Sequence, residues 1–130
     1  MDIIESTHES GHCLKVTRSL DRTNAIDLDK SLALLWEKWE GAVFVDVSEL
    51  QSIDSAGLTL FLKWHRRSLA QNRRLALVRP SAFHLKLMEI TRLDEELVIL
   101  NEPGGHRIRR AASGPYPGVA RSGPAPVPAI

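Results

Sequence analysis

The feature that most constrains the fold of this chain is a change of apolar spacing within residues 43–69. Residues 43–47 form a short run of β-branched and aromatic side chains, which predicts a buried strand. After the sequence Asp54-Ser55-Ala56-Gly57, the apolar side chains follow a helical spacing: Leu58, Phe61, Leu62, His65 and Leu69. A strand, a short loop and a helix in this order predict one unit of an α/β fold.

Ser55 stands at the predicted start of this helix. The backbone N–H groups of a first helical turn have no intrahelical partner and carry partial positive charge. A phosphate group on Ser55 could therefore be held at this position. On the local sequence alone, the favoured interpretation is that Asp54 or Ser55 only caps the helix, as Asp and Ser often do.

Strands and helices alternate along the rest of the chain. Further strands are predicted at residues 3–6, 12–17, 75–78 and 97–100, with a hairpin turn at residues 9–11. A loop at residues 18–24 leads to a helix that is capped by Thr23 or Asn24, runs to about Trp39 and is ended by Gly41. Another helix begins at residues 80–81. The expected core-facing stripes are Leu28, Leu32, Leu35, Trp36 and Trp39 in the first helix and Phe83, Leu87 and Ile90 in the third.

This order of elements predicts a mostly parallel sheet with right-handed crossovers. The functional edge of such a sheet lies where the carboxyl ends of the strands meet helix N-termini. Residues 21–24, 48–55 and 80–81 are therefore expected along one rim.

The composition indicates one domain followed by a tail. The 130 residues are enough for a single core, and six of the seven prolines lie from Pro103 onward, where large apolar side chains are rare. We therefore predict a domain at residues 1–102 and a disordered tail at residues 103–130. The lack of an apolar segment that could cross a membrane, the lack of a signal-like N-terminus and the single cysteine, Cys13, favour a cytoplasmic protein with no direct membrane insertion.

Charge is balanced in total but unevenly distributed. Residues 1–54 contain eleven acidic against five basic side chains, whereas residues 55–88 contain seven Lys or Arg and no Asp or Glu. A nucleic-acid surface is one explanation. However, these cations lie on the polar side of a helix and beside a turn, with no aromatic platform interleaved, so a solvated face or a protein-docking surface is the better interpretation, and no nucleic-acid partner is predicted.

The sequence carries no convincing catalytic or metal motif. His8-Glu9-Ser10-Gly11-His12 has the letters of a zinc-protease motif, but that motif works only on a helix, and these residues fall in a predicted hairpin. A glycine-rich phosphate loop, a nucleophile elbow and paired CxxC motifs are missing, and Ser55 has no obvious base. We therefore expect a binding module rather than an enzyme, with no metal and no cofactor.

The stretch Asp54-Ser55-Ala56-Gly57-Leu58, preceded by Val43-Phe44-Val45-Asp46-Val47-Ser48, resembles the STAS domain family. The resemblance extends from about residue 10 to residue 100. It implies a mixed, mostly parallel sheet of four or five strands with helices packed chiefly on one side.

The best-known members of this family are bacterial anti-sigma factor antagonists. The resemblance implies that Ser55 matches the serine that anti-sigma kinases phosphorylate, and that Asp21 matches an acidic residue of the loop that engages the kinase. Arg18-Ser19 stands where the family usually has Gly-Glu, which leaves the identity of the partner open.

The function implied by this resemblance is that of an anti-sigma factor antagonist switched off by phosphorylation of Ser55. Its partners would be an anti-sigma factor and serine kinase of the histidine-kinase-like ATPase type, together with a PP2C-type phosphatase. The residues expected to bind the partner are Asp21, Thr23, Asn24, Ser48, Asp54, Ser55, Ala56 and Gly57.

A second branch of the family remains open as an alternative. Some STAS proteins are cytoplasmic subunits of phospholipid-transport ABC complexes, whose motif also contains an alanine at the position of Ala56 and a tryptophan such as Trp64 shortly after it. In that case the domain would dock on the ATPase subunit, and Ser55 would be a contact residue rather than a phosphorylation site.

Overall fold

The computed structural model describes residues 1–108 of the chain. Strands and helices alternate after an initial hairpin, as the sequence predicts. In chain order the elements are β1 (Ile3–His8), β2 (Gly11–Val16), β3 (Arg18–Leu20), α1 (Ala25–Lys38), β4 (Val43–Asp46), β5 (Leu50–Ile53), α2 (Ser55–Ala70), β6 (Leu75–Val78), α3 (Ala82–Ile90) and β7 (Ile99–Leu100). A short 3₁₀ helix, Leu93–Glu95, precedes β7.

Five strands form the main sheet in the order β1-β2-β4-β6-β7. β1 pairs antiparallel with β2, and the other three neighbouring pairs are parallel. One row of apolar side chains crosses the four parallel strands through Leu14, Val45, Leu77 and Ile99. The predicted mixed, mostly parallel sheet is therefore confirmed.

A second, two-stranded parallel sheet joins β3 to β5. Residues 18–24 and the connection between residues 47 and 55 are predicted as loops, which is wrong for residues 18–20 and 50–53 and right for residues 21–24. Both strands are short, and about half of their residues are polar, so no apolar run marks them in the sequence and their pairing with each other defines them. Through this pairing, the chain before α1 lies beside the chain before α2.

The helices cover one face of the main sheet. The main core combines their inward side chains with alternate strand residues such as Leu14 and Val45, whereas the second cluster, on the opposite strand positions, contains no helical residue. The buried stripe of α1 contains Leu28, Leu32, Leu35 and Trp36, as predicted. Trp39, rather than Gly41, is the C-cap of that helix.

Two stripe predictions need correction. Leu69 of α2 is 62% exposed rather than core-facing, and the largest buried side chain of that helix is Trp64. In α3, Phe83 and Ile90 are 71% and 70% exposed, while His84 and Met88 are buried. Since α3 carries apolar side chains at most positions, its sequence leaves its rotation undetermined, and packing decides it.

The chain after β7 folds back beside the sheet. Arg107 pairs with Leu100 in an antiparallel bridge, and the Ile108 N–H donates to the Ile99 carbonyl at 2.7 Å. Pro103 is buried and borders the same cavity as Cys13 on the second face of the sheet. Residues 103–108 of the predicted tail thus have defined positions, and the rest of that tail, residues 109–130, lies outside the described residues.

The five residues that match the zinc-protease motif, residues 8–12, lie at the turn of the β1–β2 hairpin, where His8 pairs with Gly11. The hairpin prediction is confirmed, and the two histidines do not share a helical face. Within residues 1–108, no helix is both long and apolar enough to span a membrane.

Candidate functional site

Ser55 is the exposed first residue of α2, as the sequence predicts. Asp54 is the N-cap, and one oxygen of its carboxylate accepts hydrogen bonds from the N–H groups of Ala56 at 2.9 Å and Gly57 at 3.2 Å. The Leu58 N–H donates to the Asp54 carbonyl at 3.1 Å and closes the first turn. Asp54, rather than Ser55, therefore caps the helix.

This cap changes the expectation of a phosphate held by free N–H groups. Two N–H groups of the first turn are already bonded to the Asp54 carboxylate. A phosphate on Ser55 would lie next to this carboxylate. The negative charge of Asp54 would repel the phosphate, which opposes the attraction of the helix dipole.

The loop at residues 21–24 lies directly beside the start of α2. The Asp54 N–H donates to the Leu20 carbonyl at 3.1 Å, and the second carboxylate oxygen of Asp54 accepts from the Arg22 N–H at 3.1 Å. The structure thus joins the two parts of the predicted rim through one carboxylate.

Internal hydrogen bonds fix the shape of this loop. The Asp21 carboxylate accepts from the Thr23 hydroxyl at 2.6 Å and from the Thr23 and Asn24 N–H groups at 2.9 Å and 3.3 Å. These bonds, chiefly that of the Thr23 hydroxyl, lower the pKa of Asp21. Asn24 is the N-cap of α1, but its side chain caps nothing, because it donates to the Ser19 carbonyl and accepts from the Asp21 N–H.

Ser48 does not join this surface. It follows β4, where its N–H donates to the Asp46 carboxylate at 2.9 Å, and that carboxylate pairs with Arg79 at 2.9 Å. The four-residue strand β5, about 13 Å long at the usual rise per residue, lies between Ser48 and the start of α2. Ser48 is predicted beside Ser55 only if the chain between them is a short loop, and β5 occupies that interval.

Gly57 faces the interior, although the sequence analysis expected it on the partner-binding surface. It is buried, and a Cβ atom at this position would lie 2.7 Å from Ile53 Cγ1 and 2.9 Å from Leu20 Cγ. A glycine is needed here because α2 crosses the small sheet too closely for a side chain. Ala56 is half-buried and remains at the edge of the surface.

Residues 80–81 directly precede α3, close to its predicted start. Ser81 is the N-cap, and its hydroxyl accepts from the His84 N–H at 3.2 Å. His84 is 2% exposed, and the backbone of Gln51 in β5 faces it. The third part of the predicted rim therefore packs behind β5.

Two hydrogen bonds that support this surface are not predicted from the sequence. The Ser52 hydroxyl donates to the Ser19 hydroxyl at 2.8 Å and bridges β5 to β3. Arg22 contributes the N–H that reaches Asp54, which its place inside the 21–24 loop could have suggested. We refer to Asp21, Arg22, Thr23, Asp54, Ser55 and Ala56 as the Ser55 surface.

The Ser55 surface presents one exposed hydroxyl beside the carboxylates of Asp54 and Asp21. Within residues 1–108, the Ser55 hydroxyl makes no hydrogen bond. In the same part of the chain, no group of three His, Cys, Asp or Glu side chains is arranged to hold a metal ion.

The comparison with known families matches residues 5–101 to the family described as "Mlab, STAS domain". Because the match spans most of the chain, the protein belongs to the STAS domain family. No curated protein sequence matched the chain.

Solved structures with the same fold come from several bacteria. A Thermotoga maritima protein assigned as an anti-sigma factor antagonist is 20% identical, with a TM-score of 0.70 over 78% of this chain and 88% of its own. An anti-sigma factor antagonist from Mycobacterium paratuberculosis is 18% identical, with a TM-score of 0.66 over 78% and 86%.

The Bacillus cell fate determinant SpoIIAA also matches, with 16% identity to its phosphorylated form and a TM-score of 0.60 over 78% of this chain and 93% of its own. At these identities the likeness establishes the shared fold.

Proposed function

We propose that this protein is an anti-sigma factor antagonist whose Ser55 surface docks on a kinase-type anti-sigma factor and is switched off by phosphorylation of Ser55. The observation that carries the proposal is the exposed Ser55 hydroxyl at the first position of α2, next to a loop that Asp54 holds in place. In support, solved proteins with this fold are described as anti-sigma factor antagonists, and one of them has been solved in a phosphorylated form.

The proposed switch works through charge. The partner would be a histidine-kinase-like ATPase that binds the neutral hydroxyl of Ser55. A phosphate would add nearly two negative charges beside the Asp54 and Asp21 carboxylates and would have to be desolvated in the interface. We expect the complex to weaken by about 2–4 kcal/mol, or about 30- to 1000-fold in affinity. A PP2C-type phosphatase would restore the binding form.

The test is capture of the partner from cell extract with the full chain, followed by intact-mass analysis after incubation with Mg-ATP. We expect a mass increase of one phosphate that Ser55→Ala removes. Ser55→Asp should fold but lose the partner. Thr59 is an exposed hydroxyl one turn further along α2, so Thr59→Ala and Thr59→Asp are matched controls that should leave phosphorylation and binding unchanged. Undiminished binding of Ser55→Asp would contradict the switch.

The second candidate is a subunit of a phospholipid-transport ABC complex that docks on the ATPase. The presence of Ala56 in the motif and the Mlab description of the matching family favour this candidate. Trp64 does not help to choose, because it is buried and its indole N–H donates to Asp29 at 2.8 Å, which gives it a packing role. Co-purification with an ATPase and a permease, with no phosphate on Ser55, would favour this candidate over the first.

A further inference from the structure

A cavity of about 440 Å³ lies at the end of α2 opposite Ser55. The last turns of α2 form one wall, the start of β6 and the strand β7 form the floor, and residues 104–107 close the third side. We refer to it as the distal cavity. Its volume is within the usual range for small-molecule sites.

We infer that the distal cavity binds a small amphiphilic anion, that is, a phosphate or carboxylate group attached to a short apolar chain. No feature of the Ser55 surface depends on this site, and the inference stands apart from the proposed function.

The charge of the cavity selects the anionic group. The guanidinium-bearing residues Arg73, Arg74 and Arg107 line it, and no Asp or Glu among residues 1–108 does. Arg73 is engaged with the carbonyls of Trp36 and Trp39, so it supplies charge with few free donors. Arg74 is exposed and makes no ion pair within the described residues, which makes it the main candidate for direct contact with the anion.

Two residues of the cavity wall, His65 and Arg73, each carry a buried polar atom that makes no hydrogen bond within the described residues. His65 is 4% exposed, and its Nδ1 atom has no hydrogen-bond partner within the described residues. The buried Nε of Arg73 is also unpaired. Both atoms are inaccessible from the cavity, and the Arg73 guanidinium stacks on the Trp36 ring, with its Cζ 3.6 Å from the ring centroid. They therefore belong to the packing behind the wall, and the accessible donors that an anion would meet are those of Arg74.

The rest of the lining selects the apolar part of the ligand. Leu75 and Leu100 are buried beneath the cavity, whereas Leu69 is 62% exposed at its wall. The helical spacing predicts that Leu69 is buried. An apolar chain bound in the cavity would cover this side chain and would explain its exposure in the unbound protein. The lining thus combines one charged end with one apolar surface.

The experiment is titration of the full chain with monomeric octyl phosphate, followed by calorimetry and by NMR of the His65 ring and the Arg74 backbone. We expect one saturable site and an affinity loss of about tenfold or more in Arg74→Ala, since charged hydrogen bonds are the strong ones. Lys30→Ala removes an exposed cation from α1, outside the cavity, and should bind as the wild type does.

A second pair of probes tests the apolar part and the source of the anion. Leu69→Gln should weaken the binding of octyl phosphate and leave that of inorganic phosphate unchanged. If the ligand is a lipid headgroup, the wild-type protein should sediment with phosphatidylglycerol vesicles, and the Arg74→Ala variant should stay in the supernatant. If the protein binds monomeric octyl phosphate but does not sediment with the vesicles, the ligand is a soluble molecule. The inference is overturned if octyl phosphate does not saturate, if inorganic phosphate binds equally well, or if Lys30→Ala lowers the affinity as much as Arg74→Ala.

Discussion

At the scale of single residues, Gly57 and Asp54 show why the start of α2 lies where it does. Asp54 ties the first turn to the loop at residues 21–24, and Gly57 lets the helix approach Leu20 and Ile53. The two residues therefore hold Ser55 in position from the outside and from the inside of the molecule.

We expect Gly57→Ala to destabilise the protein. Alanine is the better helix former by about 1 kcal/mol, but its Cβ would overlap Leu20 and Ile53, and overpacking costs about 1–3 kcal/mol. The net result in urea denaturation should be a lower free energy of unfolding, whereas Thr59→Ala, at an exposed position of the same helix, should not lower it. A Gly57→Ala variant that is more stable than the wild type would show that this close approach does not limit the position.

His84 leads to a prediction about pH. Its ring is buried without a well-formed hydrogen bond, and burial lowers its pKa, although the Gln51 backbone opposes this effect. The unfolded chain binds a proton at the ordinary pKa of about 6.5, so below that pH it binds more protons than the folded state. The free energy of unfolding should therefore decrease as the pH falls through this range.

We expect His84→Leu to weaken this pH dependence between about pH 7 and pH 5 in urea denaturation. Burial also lowers the pKa of His65, so a smaller slope should remain. Leu34→Ala, at an exposed position of α1 that carries no titratable group, should leave the slope unchanged. An unaltered slope in His84→Leu would contradict the assignment.

At the scale of elements, α3 shows most clearly that the packing of a helix can differ from the packing that its apolar spacing predicts. The spacing of Phe83, Leu87 and Ile90 describes a good apolar stripe, yet the helix turns His84 and Met88 to the core. Because α3 is only nine residues long and mostly apolar, two rotations satisfy its pattern almost equally, and the contacts available on the sheet select one.

This rotation predicts unequal effects of two substitutions. Met88→Ala should lower the free energy of unfolding by about 2–4 kcal/mol because it leaves a cavity in the core. Phe83→Ser should change it by no more than about 0.5 kcal/mol, as is usual for exposed positions. Urea denaturation of both variants checks the prediction, and equal losses would mean that the α3 rotation is different.

At the scale of the whole molecule, residues 103–108 continue the packing past the domain end that composition predicts. Composition placed the boundary at the first of many prolines, but Pro103 is buried and Ile108 packs against the main core. A high content of Pro and Gly indicates that a segment has a low propensity for helix and strand, whereas its burial depends on the contacts that it makes with the rest of the fold.

We expect a chain ending at residue 102 to be less stable than one ending at residue 108 by about 1–3 kcal/mol. The shorter chain loses the Ile108 bond to Ile99, the Arg107 bond to the Leu97 carbonyl and the cover that Pro103 provides. Thermal and urea denaturation of the two chains measure the difference. If both are equally stable, residues 103–108 contribute nothing to the fold.

Much of the fold and part of the candidate site followed from the sequence alone. The apolar runs at residues 43–47 and 75–78 and the Asp-Ser-Ala-Gly start of α2 carry strong local signals, because burial of β-branched runs and capping of a helix depend on neighbours in the chain. The mostly parallel sheet and the exposed position of Ser55 could be predicted for this reason.

Tertiary contacts decided the rest. The pairing of β3 with β5, the inward position of Gly57, the separation of Ser48 from Ser55 and the rotation of α3 all depend on residues distant in sequence. Their energies come from contacts that exist only once the chain is folded, so neither propensity nor spacing records them. The local sequence therefore determined that α2 begins at Ser55, whereas only the tertiary structure decided which residues surround Ser55.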